Sequence, residues 1–281
     1  MHIRKGLFFQ SLIMTLLLLV PMLGVVAFFA QQRQQQEQLR NVAAGESGVA
    51  VAEGAQNTLR LLLAVQGAQP SFVLLRVDAP EQKLTLCALP SSLLVAAPAG
   101  QTTLGDCYMA AGPARAAQLL RDTLGENAAP DAYFAATPDC YATLLGEVSA
   151  RFDTAAVLPQ AERSGDTVRE LKVGEAGELI AELQQGRAPQ QQAEMRAAVW
   201  AAFLRQNPET LQTLVAAARQ NSSRTLTDLR AQQLYELEDA FTWLATQPSL
   251  AVEYTVPTGS AATGGWALDE AGKTMLTELL A

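Results

Sequence analysis

Histidine is almost missing from this chain: the one residue of that type, His2, stands beside the N-terminus. With no imidazole further along, a Ser-His-Asp or Cys-His relay and any His-ligated metal site are excluded from the rest of the sequence. Cysteine is nearly as scarce. Cys87, Cys107 and Cys140 lie far apart, match no metal-binding spacing, and by their odd number leave at least one thiol free. They read as small buried apolar residues, and the sequence does not set their disulfide state. Positive charge is short as well, with 20 Lys and Arg against 28 Asp and Glu and a formal charge of −8. A surface of that sign repels polyanions, which excludes nucleic acid as a partner.

What is present in quantity is apolar side chain, 49% of 281 residues, enough for one large domain plus an anchor. Gly6 to Ala30 is an apolar run broken only by Gln10, Ser11 and Thr15. About 20 such residues cross a bilayer as a helix, and Pro21 is tolerated there. Arg4 and Lys5 precede the run and favour a cytoplasmic N-terminus. A cleaved signal peptide is the rival reading, disfavoured because its apolar core is usually shorter. The expected organisation is a tail at 1–5, a membrane anchor at 6–30, a Gln-rich stalk at 31–55, and an extracytoplasmic domain at 56–281.

Within the domain, Leu59–Val65 and Phe72–Val77 are unbroken apolar runs of strand length. Asp78-Ala79-Pro80-Glu81 is a turn by composition, so Phe72 to Leu89 reads as a hairpin. Ala114–Leu124 is a helix with Pro113 at its start, Asp131–Ala135 a short strand, and Thr137-Pro138 the cap of a helix through Leu145. Val148–Val157 is expected to return as a strand. Helices follow at 175–185, 190–205, from Asn207-Pro208 to Ala218, and at Thr225–Leu244 with Thr225 and Asp228 in capping positions. Leu250–Val256 is a strand, Pro257–Gly265 a loop, and Leu268–Leu280 a closing helix. Strands interleaved with helices imply an α/β fold, a helix-covered mixed sheet preceded by the membrane helix.

The order of these elements resembles the core of the LytR-CpsA-Psr family, membrane-anchored envelope enzymes that move glycopolymers from a polyprenyl-phosphate carrier onto the cell wall. Arg60 to Val65 fits the family's first strand, with Gln66 where an acid stands. Ala68-Gln69-Pro70-Ser71 falls on the family's Arg-Ser-Asp-Thr, and Pro90-Ser91-Ser92 on its Pro-Arg-Asp. Thr103-Leu104-Gly105-Asp106-Cys107-Tyr108, leading to Gly112-Pro113, is similar to Lys-x-Asn-x-x-Tyr and the Gly-Pro that follows. Leu144-Leu145-Gly146-Glu147-Val148 resembles Leu-Gly-Gly-Val, while Arg187 and Arg196 lie in the neighbourhood of the late arginines. Tyr254 to Pro257 and Gly264-Gly265-Trp266 resemble the family's ending.

The resemblance implies a site at Gln66, Pro70, Ser71, Ser91, Ser92, Thr103, Gly105, Asp106, Tyr108, Arg187 and Arg196. Nearly every charged position of the family site is neutral here. Guanidinium forks grip pyrophosphate and carboxylates hold Mg²⁺, and serine or proline supplies neither. Losing one transition-state donor costs about 10²–10³ in rate, so losing several predicts a domain that binds without transferring. The expected ligand is a polyprenyl phosphate, a wall glycopolymer or a partner protein, with no cofactor. The alternatives are a working phosphotransferase with Mg²⁺ held by relocated residues (Asp106, Arg76, Arg187 or Arg196), or a scaffold without ligand. Trp200 and Phe203 read as core, or as the wall of a slot for a prenyl chain, which the family holds between sheet and helices.

Overall fold

The computed structural model describes residues 54–67, 69–98, 100–125, 128–158 and 167–280. The expected tail, anchor and nearly all of the stalk lie outside these residues. Among those described, no helix is long and apolar enough to cross a membrane.

The apolar runs become the middle of a sheet. Thr58–Val65 (β1), Ser71–Asp78 (β2) and Lys83–Leu89 (β3) pair antiparallel in sequence, from Thr58 opposite Asp78 and from Asp78 opposite Lys83. The β2–β3 turn is fixed by Asp78, whose carboxylate accepts the Glu81 N–H at 3.2 Å. Ala132–Ala136 (β6) lies parallel to β1, and Ala251–Thr255 (β10) parallel to β3. Thr225–Thr227 (β9) closes the far edge, giving the order β10-β3-β2-β1-β6-β9. Three hairpins lie outside this sheet: Leu94–Ala97 (β4) with Gly100–Thr103 (β5), Ser149–Asp153 (β7) with Val168–Lys172 (β8), and Gly259–Ala262 (β11) with Gly265–Leu268 (β12).

Both sheet faces are covered, which is why β1, β2 and β3 read as continuous apolar runs. The face of Leu61, Val73, Leu75 and Leu86 packs on helices Pro189–Gln206 (α4), Leu211–Gln220 (α5) and Ala231–Ala245 (α6). Alanines at 193, 197 and 201 recur every four residues and let α4 lie close to the strands. The face of Leu62, Phe72, Leu74 and Leu89 packs on Leu104–Leu124 (α1) and Glu270–Leu280 (α7), with Trp266. Pro138–Leu145 (α2) covers the β1–β6 end, and Ala176–Gln184 (α3) joins β7 and β8 in a third cluster behind α4.

At the N-terminal end of β1, two sheet arginines close α7. The Arg60 guanidinium is bidentate on Asp131 (2.8 and 3.1 Å) and also donates to Leu280 O. Arg76 donates to Glu278 O and Leu279 O at 3.0 and 3.2 Å. The last four carbonyls of a helix lack intrahelical partners, and cations are favoured at that end.

Several expectations are corrected. Thr225 does not cap a helix. Thr225–Thr227 pairs with β6, the Thr227 hydroxyl donates to Tyr133 O, and the Asp228 carboxylate accepts the Tyr133 N–H at 2.7 Å. The helix starts at Ala231, where the Gln233 side chain accepts the Arg230 N–H. The strand expected over Val148–Val157 ends at Asp153, whose carboxylate caps a 3₁₀ turn at Thr154–Ala156. The loop expected at Pro257–Gly265 contains half of the β11–β12 hairpin. The helix expected from Ala114 begins ten residues earlier at Leu104 and is broken at Gly112 (φ 79°, ψ −177°), so that Pro113 starts its second segment.

Candidate functional site

The residues to which the resemblance points, Arg187 apart, lie on elements that meet at one end of the sheet, where β1, β3, β6 and β10 finish and β2 begins. Gln66 leaves β1 with its N–H donated to Ala136 O at 2.8 Å. Its side chain shares a hydrogen bond with the Tyr108 hydroxyl, brought in by α1. Phe72 packs edge-on against Tyr108 with ring centres 5.6 Å apart, and burial raises the phenol pKa. Pro70 is buried immediately before β2, and Ser71 opens that strand half-buried.

Pro90-Ser91-Ser92 forms a tight turn closed by the Leu93 N–H on Pro90 O at 3.0 Å. Ser91 O accepts the Gly105 N–H at 2.8 Å, and Ser92 O accepts the Trp266 N–H at 2.8 Å. This wedges the turn between the start of α1 and β12. A Cβ added at Gly105 would lie 2.2 Å from Ser91 Oγ, so the serine hydroxyl fills the space a side chain at 105 would need. Ser91 and Gly105 are therefore sterically coupled. Ser92 Oγ is buried without a hydrogen-bond partner. Thr103 and Asp106 cap α1: Thr103 Oγ1 accepts the Asp106 N–H at 3.0 Å and donates to its carboxylate at 2.6 Å.

Arg196 reaches the same end from α4. Its guanidinium donates from Nη2 to Leu89 O at 3.1 Å, one residue before Pro90. Its Nε is buried without a partner, and no carboxylate pairs with it among the described residues. Desolvation alone pushes its pKa down to about 10. Such a half-buried cation without a counter-charge is costly, and an anion would relieve it. Arg187 lies in the α3–α4 turn, tied by its backbone to Gln184 and Gln192 (3.2 and 3.0 Å). Hydrogen bonds bring Gln66 to Tyr108, Ser91 to Gly105, and Arg196 to the end of β3.

Beneath this end, between the sheet and α2, α4, α5 and α6, lies an apolar cavity. It offers ≈ 140 Å³ of free volume and is partly open to solvent. Its walls include Leu63, Val65, Leu75, Phe134, Trp200 and Phe241. Trp200 lies one helical turn from Arg196 on α4, and Phe203 belongs instead to the cluster with α3. The Tyr141 hydroxyl is turned into the sheet end, donating to Phe134 O at 3.1 Å and facing Ala64 O at 3.4 Å. Walls of this kind do not hold water well and accept apolar ligands. Tyr141 carried no motif; only its apolar flank pointed to the core.

The family's Mg²⁺ does not fit the residues present. Gln66, Pro70, Ser71 and Ser92 provide no carboxylate, and Asp106 is exposed and engaged as a helix cap. Among the described residues no three His, Cys, Asp or Glu side chains cluster as metal ligands.

No family model and no curated protein sequence matches the chain. Solved structures do. TagT of B. subtilis, a wall teichoic acid transferase of the LytR-CpsA-Psr family, superposes with a TM-score of 0.58 at 14% identity, over 80% of this chain and 92% of that one. TagT bound to LIIa-WTA gives 0.59 at 15%, over 82% and 93%. A protein of Listeria innocua gives 0.56 at 12%, over 80% and 98%. Identities this low speak to architecture alone. A six-stranded mixed sheet with helices on both faces and an apolar cavity beneath one end thus gives this chain the fold of the LytR-CpsA-Psr proteins.

Proposed function

We propose that this protein binds a polyprenyl phosphate at the outer face of a cell membrane and holds it without transferring a glycopolymer. Gly6 to Ala30 anchors the chain with its N-terminus in the cytoplasm, and the domain stands outside, within reach of wall glycopolymer. The observation that carries the reading is the pairing of an apolar cavity with one uncompensated arginine a helical turn away. That is the complement of an amphiphile with an anionic head. Burial of hydrocarbon is worth about 0.8 kcal/mol per CH₂, so a few prenyl units outweigh the roughly 1.5–3 kcal/mol of a charged hydrogen bond. The chain therefore supplies the affinity, and Arg196 selects for an anionic head.

The absence of transfer rests on the neutral side chains at Gln66, Ser91, Ser92 and Gly105, and on the misfit to Mg²⁺. Mass spectrometry of lipids carried by the purified full-length protein tests the binding. A transfer assay with a lipid-linked glycan tests the chemistry. A co-purifying prenyl phosphate without turnover is the expected pair of results. Metal-dependent pyrophosphate release overturns the non-catalytic part, and a protein that carries and takes up no prenyl phosphate overturns the whole reading.

A further inference from the structure

The cavity walls differ in thickness. The sheet is backed by α1 and α7, and α4 is backed by α3, β7 and β8. The outward residues of α5 and α6, such as Gln212, Thr213, Gln232 and Tyr235, are exposed, so one helix layer separates the cavity from solvent there. Ala218 of α5 and Leu234 and Leu237 of α6 line the cavity. Their sequence neighbours Arg219, Tyr235 and Glu238 are joined across the outside of the same two helices. Arg219 Nη1 lies 2.8 Å from Glu238 Oε2, and its guanidinium carbon stands 5.1 Å from the centre of the Tyr235 ring.

Building on the lipid-binding reading, we propose that the seam between α5 and α6 is the port through which the prenyl chain reaches the cavity, and that Arg219 is its clasp. The clasp bridges the helices through side chains alone, and the pair is 39% and 32% exposed, so it is accessible to water and salt. An exposed ion pair and a cation–π contact are each weak, and together they hold the closed seam by a factor of about 3- to 30-fold. That suits a latch: strong enough to favour the closed seam, weak enough to open thermally. Apolar walls on both helices keep the opened seam favourable to hydrocarbon and unfavourable to a hydrated head, so the tail goes in first and the phosphate arrives last, at Arg196.

Stopped-flow energy transfer from the three tryptophans, of which Trp200 lines the cavity, to a dansyl-labelled farnesyl phosphate, on the full-length chain, reads the passage. Arg219→Ala is expected to speed both association and dissociation by about 3- to 30-fold while leaving Kd within about twofold. Raising ionic strength should accelerate the wild type and leave the variant unchanged, because only the ion pair is screened. Arg219→Cys/Glu238→Cys bridged by a short bismaleimide should block uptake; the three native cysteines are buried. Rates unchanged by both the Ala variant and the bridge overturn the port. A change in Kd alone assigns Arg219 to the bound state and also overturns it. A wild type that takes up no probe overturns the lipid reading itself, and the port with it.

Discussion

Replacing Arg196 by methionine should leave the fold as stable as before or slightly more so, while removing anion recognition. Burial pushes the Arg196 pKa down to about 10, well below the ordinary guanidinium range, which corresponds to a cost to the charged form of at most about 3 kcal/mol. Methionine removes that cost and forfeits a charged hydrogen bond to Leu89 O, worth about 1.5–3 kcal/mol. The difference lies between zero and about 1.5 kcal/mol in favour of the variant. The sign of the pH dependence follows from the depressed pKa. From about pH 10 up to the ordinary guanidinium range the unfolded chain holds this proton and the folded chain has released it, so this group makes stability rise with pH there. The variant lacks that rise. Urea denaturation of both proteins, with and without farnesyl phosphate, checks the account. Ligand at 100 times Kd should stabilise the wild type by about 2.7 kcal/mol and Arg196→Met by much less. Destabilisation of the variant by more than about 2 kcal/mol, or equal stabilisation of both by ligand, would refute the reasoning: the guanidinium would then be a structural strut.

Gly105→Asn should cost about 1–3 kcal/mol because its Cβ meets Ser91 Oγ at 2.2 Å, and Ser91→Gly should recover part of that in the double variant's denaturation midpoint. Arg76→Met frees the Glu278 and Leu279 carbonyls and should raise amide exchange over the last turn of α7, with a loss of about 1–3 kcal/mol. Cys87, its thiol pushed up to about 12 by burial, should resist iodoacetamide at pH 8 and react only in the unfolded chain, as read by peptide mass spectrometry. Adding Mg²⁺ or chelator should leave the Kd for farnesyl phosphate unchanged in a fluorescence titration, since Gln66, Pro70, Ser71 and Ser92 offer the metal no carboxylate.

The central strands were legible because both of their faces are buried, and long apolar runs such as Leu59–Val65 have few other uses. The helix start at Thr137-Pro138 was legible from local cap chemistry. The segment Thr225-Leu226-Thr227-Asp228 misled because its hydroxyls and carboxylate suit a cap and an edge strand equally. The choice fell to Tyr133, on β6, whose N–H and carbonyl meet Asp228 and Thr227. Gly100–Thr103 is too polar to announce a strand, and it becomes one only opposite Leu94–Ala97. At the site, residue order marked Gln66, Ser91 and Tyr108 only through the family resemblance. It gave no sign that Ser91 and Gly105 compete for one volume, or that Tyr141 turns its hydroxyl toward the strands.

Composition and pattern by themselves determined what chemistry is ruled out and which segments form the covered sheet, since those follow from residue type and from spacing along the chain. Only the tertiary structure decided that Arg196, 107 residues from Leu89, would be stripped of water without gaining a carboxylate. Packing likewise decided that the apolar faces of the sheet and four helices would meet without filling the space between them. Solvation and voids are set by what distant segments bring together. They are properties of the assembled whole, to which each local run of sequence contributes one wall.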